Sequence, residues 1–139
     1  MCLEYELSKE ADKKIRDLAR KRGYIRVWKV CMPDCTGYWF HINDWMPGLH
    51  KAENLNRRDG GWYAYLSETA AKKAENYWNR DCDTDHTIKV CYAKPSWIKS
   101  LGSDRRFGHI GIFTHLAFPD WDKGNMTIRE FRAMCRKES

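Results

Sequence analysis

The feature that most constrains the fold is the stretch Phe107–Phe118, in which apolar side chains recur with a period of two. Ile110, Ile112, Leu116 and Phe118 would share one face of an extended chain. Alternation of this kind is typical of a strand that lays one face on a core. We therefore predict one strand from 107 to 118.

Four further stretches carry strand patterns, and they are bounded by Gly, Pro, Asn and Asp. They lie at 24–31, 38–42, 62–66 and 87–92. The first two flank Pro33 and Asp34, which predicts a hairpin. Residues 43–60 are rich in turn formers and predict a long, packed loop.

Helix signals alternate with these strands. Ser8 and Gly23 bracket an amphipathic helix over about 9–22, and Ser67 precedes an alanine-rich helix over about 68–79. A short helical turn is predicted at 95–101, and a capping box at Thr127 begins a last helix to about 137.

These patterns predict an α+β fold: a mainly antiparallel sheet of about five strands, with an N-terminal helix, a central helix after residue 67 and a C-terminal helix. The 139 residues predict a single domain, 1–139. An aromatic fraction of 14% excludes a disordered chain. Apolar stretches are too short to span a bilayer and no secretory signal is recognised, so we expect a cytoplasmic protein without a membrane partner.

The net charge of +6 lies in one segment. Residues 8–29 contain nine Lys or Arg against three acids, while the rest of the chain is balanced. This local excess predicts an anionic partner: nucleic acid, a nucleotide or an acidic host protein. The candidate contacts are Lys13, Lys14, Arg16, Arg20, Lys21 and Arg22. The alternative is a solvated helix face whose charges pair among themselves.

Aromatic and basic residues also interleave, as in proteins that stack bases and bind phosphates. We select Trp45, Arg57, Arg58 and Tyr63 as contacts close to a pocket. The alternative is that most Trp and Tyr side chains build the core of a small domain.

Cysteine spacing permits a structural zinc ion, the only cofactor that the residues themselves suggest. Cys31 and Cys35 are separated by three residues, as are Cys82 and His86. Three thiolates and one imidazole could close a tetrahedral site. The alternative is a set of unrelated reduced thiols in the core or at the surface.

Several motifs resemble small uncharacterised bacteriophage-type proteins, over about residues 24–102. The motifs are Met1–Leu3, Ile25–Val30, Trp45–Leu49 and Gly60–Ser67 with Ala70, Ala71 and Ala74. The resemblance implies a viral protein in the bacterial host cytoplasm, acting against a host process or defence. The basic segment and the aromatic residues favour a binding protein over an enzyme, and the sequence leaves catalytic activity open.

Residues 60–78 also resemble ADP-ribosyltransferase folds, in which a Gly-x-Tyr strand precedes an alanine-rich helix. This resemblance implies an NAD-using enzyme whose Tyr63 stacks on nicotinamide. The chain departs from that pattern at Trp28 and Lys29, where the family has His or Arg, and its late strand lacks a glutamate. The NAD-using enzyme and the zinc-stabilised interaction domain remain the alternatives.

Overall fold

The structure, a computed structural model, describes residues 5–31, 47–53, 55–58, 60–81, 86–120 and 124–137. Within these ranges the elements follow in the order β1 (Tyr5–Glu6), α1 (Lys9–Arg22), β2 (Ile25–Cys31), β3 (Gly48–Lys51), β4 (Trp62–Tyr65), α2 (Glu68–Asp81), β5 (Thr87–Ala93), a 3-10 turn (Pro95–Trp97), β6 (Ile98–Asp104), β7 (Gly108–Phe113), β8 (His115–Phe118) and α3 (Ile128–Lys137). The α+β class and the three helices are confirmed for this part of the chain.

The described strands form one antiparallel sheet of eight strands, in the order β1-β6-β7-β4-β2-β5-β8-β3. The prediction of about five strands was too low, because β1, β3 and β6 fall in segments that were not expected to form strands. β3 lies within the predicted loop 43–60. β6 begins inside the predicted helical turn, of which only Pro95–Trp97 is helical.

The stretch 107–118 is two strands, and the prediction of a single strand was wrong. β7 and β8 are joined by Thr114 alone, yet they are four positions apart in the sheet. In a flat sheet that separation would be about 19 Å, whereas two Cα–Cα steps span at most about 7.6 Å. The sheet therefore curves until the two strand ends meet at Thr114.

Curvature also separates the side chains that were expected to share a face. Ile110 and Ile112 pack against α2, whereas Leu116 and Phe118 lie in a different buried cluster. The indole of Trp62 holds that second cluster together by donating to the His50 carbonyl at 2.9 Å. Its ring also contacts Phe118 edge-to-face at 5.3 Å.

β2 pairs with β5 along its whole length and with β4 at Trp28–Tyr65. Its two faces are both covered: Val27 belongs to the cluster that receives Ala19 of α1, and Val30 to the cluster under α2. The predicted hairpin partner at 38–42 lies outside the described residues.

The helices begin where the sequence predicts. Ser8 Oγ accepts from the Ala11 amide at 3.2 Å, Ser67 Oγ from Ala70 at 3.2 Å and Thr127 Oγ1 from Glu130 at 3.2 Å. Gly23 ends α1 with φ of 86°, which favours glycine. In the described part of the chain no helix combines the length and the apolar character that crossing a membrane requires.

Candidate functional site

One side of α1 carries a row of four cations. Lys9, Lys13, Arg16 and Arg20 are spaced by four, three and four residues, which places them on the same helix face. The row extends over about 16 Å at the helical rise. Arg16 also donates to the Ile98 carbonyl at 3.4 Å, which ties the middle of the row to β6.

The row forms one wall of a surface cavity of about 790 Å³. The opposite wall contains Lys99, Ser100 and Leu101 of β6, together with Arg58 and Tyr63. Among the described residues, six cations line this cavity against two carboxylates, those of Glu6 and Asp12. The sequence-predicted residues Lys13, Arg16, Arg20, Arg58 and Tyr63 are therefore brought together.

A second cavity of about 740 Å³ continues from the same helix toward α3. Arg16 and Arg20 line both cavities, and here they face Lys94, Arg132 and Arg136. The two cavities together are the basic groove. Its nine cations are Lys9, Lys13, Arg16, Arg20, Arg58, Lys94, Lys99, Arg132 and Arg136.

Three of these cations pair with carboxylates of α1. Arg16 lies 2.6 Å from Asp12, and Asp17 lies 3.4 Å from Lys13 and 2.9 Å from Arg20. These contacts are what the alternative of a self-paired helix face predicts. The two pairs made by Asp17 are well exposed, and exposed pairs contribute at most about 1 kcal/mol. They hold Lys13 and Arg20 only weakly against a competing phosphate, whereas the Arg16–Asp12 pair is less exposed.

The other six groove cations have no such partner. Among the described residues, no carboxylate oxygen lies within 4 Å of Lys9, Arg58, Lys94, Lys99, Arg132 or Arg136. Lys99 donates to the carbonyls of Arg57 at 2.7 Å and Gly60 at 2.5 Å, so it also fixes the turn that presents Arg58.

The remaining sequence-predicted contacts lie elsewhere. Lys14 and Lys21 are exposed on the side of α1 turned away from the groove. Arg22 lines a separate cavity of about 560 Å³ that also contains Leu18 and Trp28. Arg57 contributes its carbonyl to Lys99. Trp45 lies outside the described residues.

Tyr63 lines the groove but is only 7% exposed, and it packs in the cluster under α2. Its ring is therefore part of the core, as the alternative for the aromatic residues predicts. Its carbonyl accepts a hydrogen bond at 2.9 Å from Lys29, whose side chain is buried. Lys29 thus takes no part in the basic groove, although the sequence places it in the basic segment.

The proposed zinc ligands are described only in part. Cys31 and His86 are buried at neighbouring strand ends, because Cys31 pairs with Thr87. Cys31 Sγ lies 3.7 Å from the Lys29 carbonyl oxygen, and His86 Nδ1 lies 3.0 Å from Asn79 Oδ1. Cys35 and Cys82 lie outside the described residues, and the described ones contain no group of three potential metal ligands.

Sequence reasoning did not select Lys9, although it lies in the basic segment. It also missed four groove residues outside that segment: Lys94, Lys99, Arg132 and Arg136. They lie in the part of the chain whose charges balance as a whole. Two local signals marked the last helix: four Lys or Arg against one acid, and the spacing of Arg132 and Arg136, which places both on one face.

Comparison of the chain with protein-family models, with curated protein sequences and with solved structures finds no match. The resemblances to bacteriophage-type proteins and to ADP-ribosyltransferase folds therefore stay predictions. Inference about function rests on the basic groove.

Proposed function

We propose that this protein binds nucleic acid by its phosphate backbone, along the basic groove. The observation that supports the proposal is the convergence of nine cations from α1, the Arg58 turn, the Lys94–Lys99 segment and α3. Six of them lack a carboxylate partner among the described residues. A field of this sign concentrates polyanions and speeds their association.

The length of the groove favours a polymer over a single nucleotide. The row on α1 covers about 16 Å, and the groove continues beyond it to Arg136. One strand of a duplex presents a phosphate about every 3.4 Å along the helix axis. The row is therefore longer than the spacing between neighbouring phosphates and can contact more than one of them. An acidic host protein is the other partner class that such a field would attract.

We place this interaction in the bacterial cytoplasm, where it would interfere with a host process or defence, on the resemblance to small bacteriophage-type proteins. Nothing in the described residues favours the NAD-using alternative, since the ring of Tyr63 is buried under α2.

A matched pair of variants tests the proposal. Lys9→Gln/Lys13→Gln removes two charges that line the groove, and Lys14→Gln/Lys21→Gln removes two from the opposite side of the same helix. We expect the first variant to weaken binding of a fluorescent 20-base-pair duplex about tenfold at 100 mM salt, and the second to weaken it much less. Equal losses, or tighter binding to an acidic protein such as polyglutamate, would contradict the proposal.

A further inference from the structure

We propose that the α3 end of the basic groove is a site for a phosphate group carrying two charges, such as the terminal phosphate of a nucleic-acid strand. The inference rests on the proposed function and specifies which part of the nucleic acid binds at the α3 end of the groove. Five cations line the cavity here, Arg16, Arg20, Lys94, Arg132 and Arg136, and none of the described residues that line it carries a carboxylate. The other end of the groove contains Glu6 and Asp12.

The six cations without a carboxylate partner among the described residues divide equally, three at each end of the groove. This end differs because none of the described residues that line it carries a carboxylate. Arg16 and Arg20 are balanced in part by Asp12 and Asp17. Lys94, Arg132 and Arg136 have no carboxylate within 4 Å among the described residues. Three positive charges thus face one cavity without a local counter-charge.

Two of the three cations are already held in position by aromatic rings. The Lys94 ammonium lies 5.5 Å from the centre of the Trp97 ring, and the Arg132 guanidinium lies 6.0 Å from that of Tyr24. Contacts of this kind contribute about 0.5–1 kcal/mol at exposed sites. They reduce the entropy that these side chains lose when an anion binds.

The helix dipole explains only part of this arrangement. Arg20 lies in the last turn of α1 and Arg136 in the last turn of α3, where cations stabilise the free carbonyls. Lys94 lies outside any helix, and Arg132 lies one turn further back on α3. These two residues have no such role, although they line the same cavity.

A terminal phosphate suits this cavity better than an internal phosphodiester. It carries between about −1.5 and −2 charges at pH 7 because its second pKa is close to 6, whereas a diester carries one. The Coulomb attraction to the three unpaired cations rises in proportion to the ligand charge. Each guanidinium can also donate two parallel hydrogen bonds to phosphate oxygens.

The test compares oligonucleotides of one sequence with a 5′-phosphate, a 3′-phosphate or free hydroxyls at both ends. At pH 7.5 we expect at least one phosphorylated form to bind about fivefold to tenfold tighter than the hydroxyl form. The advantage should shrink at pH 5.5, where the terminal phosphate takes up its second proton. Inorganic phosphate and a mononucleotide, added as competitors, distinguish a free phosphate from a strand end.

Matched variants locate the effect. Arg132→Gln/Arg136→Gln should abolish the difference between the phosphorylated and hydroxyl forms. Lys9→Gln/Lys13→Gln should weaken both forms alike and keep their ratio. Equal binding of all forms by the unaltered protein, or a preference that survives Arg132→Gln/Arg136→Gln, overturns the inference while leaving the proposed function intact.

If no oligonucleotide binds, the proposed function fails and the site is tested directly. Titration with inorganic phosphate should then shift the backbone amide resonances of residues 132–136 in the unaltered protein and not in Arg132→Gln/Arg136→Gln. Absence of those shifts also contradicts the inference.

Discussion

At the scale of single residues, Lys29 shows how a buried charge fits into this sheet. The pairing of β2 with β4 is confined to Trp28–Tyr65, so the two strands do not continue a regular ladder toward Tyr63. The Lys29 ammonium reaches across this opening and donates to the Tyr63 carbonyl, 5.9 Å from the centre of the Trp62 ring. Burial lowers the pKa of Lys29, because the charged form loses its hydration.

This lowered pKa predicts a pH dependence of stability. Between the folded-state pKa of Lys29 and its ordinary value of 10.5, the unfolded chain binds the proton more tightly than the folded one. The contribution of Lys29 to the free energy of unfolding therefore increases as the pH rises through that window. This contribution is measured by urea unfolding at several alkaline pH values, comparing the unaltered protein with Lys29→Met.

The difference between the two proteins reports on Lys29 together with its coupling to Cys91, whose thiol pKa the Lys29 charge lowers. Burial raises the pKa of the Cys91 thiol, so Cys91 has the opposite effect on stability above pH 9 in both proteins. We expect the stability of the unaltered protein relative to Lys29→Met to rise with pH up to about 10.5. A constant difference would show that Lys29 titrates alike in both states.

At the scale of elements, the close contact of β4 with β7 depends on a glycine. Gly61 has φ of 134°, and a Cβ there would lie 2.5 Å from Ile112 Cγ2 and 2.9 Å from the Phe113 carbonyl oxygen. Gly48 has a similar φ of 129° but open space around it. Alanine substitutions at Gly61 and at Gly48 therefore separate the cost of backbone strain from the cost of a steric clash.

We expect Gly61→Ala to lower the free energy of unfolding by about 3 kcal/mol or more, since strain and overpacking add. Gly48→Ala should lower it by about 1–2 kcal/mol, from strain alone. Thermal or urea unfolding of both variants measures the two losses. Equal losses would mean that β4 and β7 move apart without cost.

The same elements show what the sequence could predict of the fold. Capping residues such as Ser8 and Ser67 locate helix starts because their signals are local. The bend at Thr114 is not visible, since the period of two has the same phase on both sides of this single polar residue. The two strands differ only in their partners: β7 pairs with β4 and β6, whereas β8 pairs with β3 and β5. Pairing between strands that are distant in sequence leaves no local pattern.

At the scale of the whole molecule, the basic groove could also be predicted from the sequence only in part. The α1 row was predictable, because a charge excess on one amphipathic helix is a local signal. Lys94 and Arg132 join it only when the fold brings α3 beside the end of α1. Sequence analysis could therefore indicate the sign of the partner's charge but not the extent or the two ends of the groove.

The account depends on the groove acting as one continuous surface for phosphates. The most direct measurement is the affinity for a 20-base-pair duplex between 50 and 300 mM salt. If the six unpaired cations each neutralise one phosphate, the logarithm of the association constant should fall with the logarithm of salt concentration with a slope of about −5. A slope shallower than about −1, or no binding at the lowest salt concentration, would contradict the account.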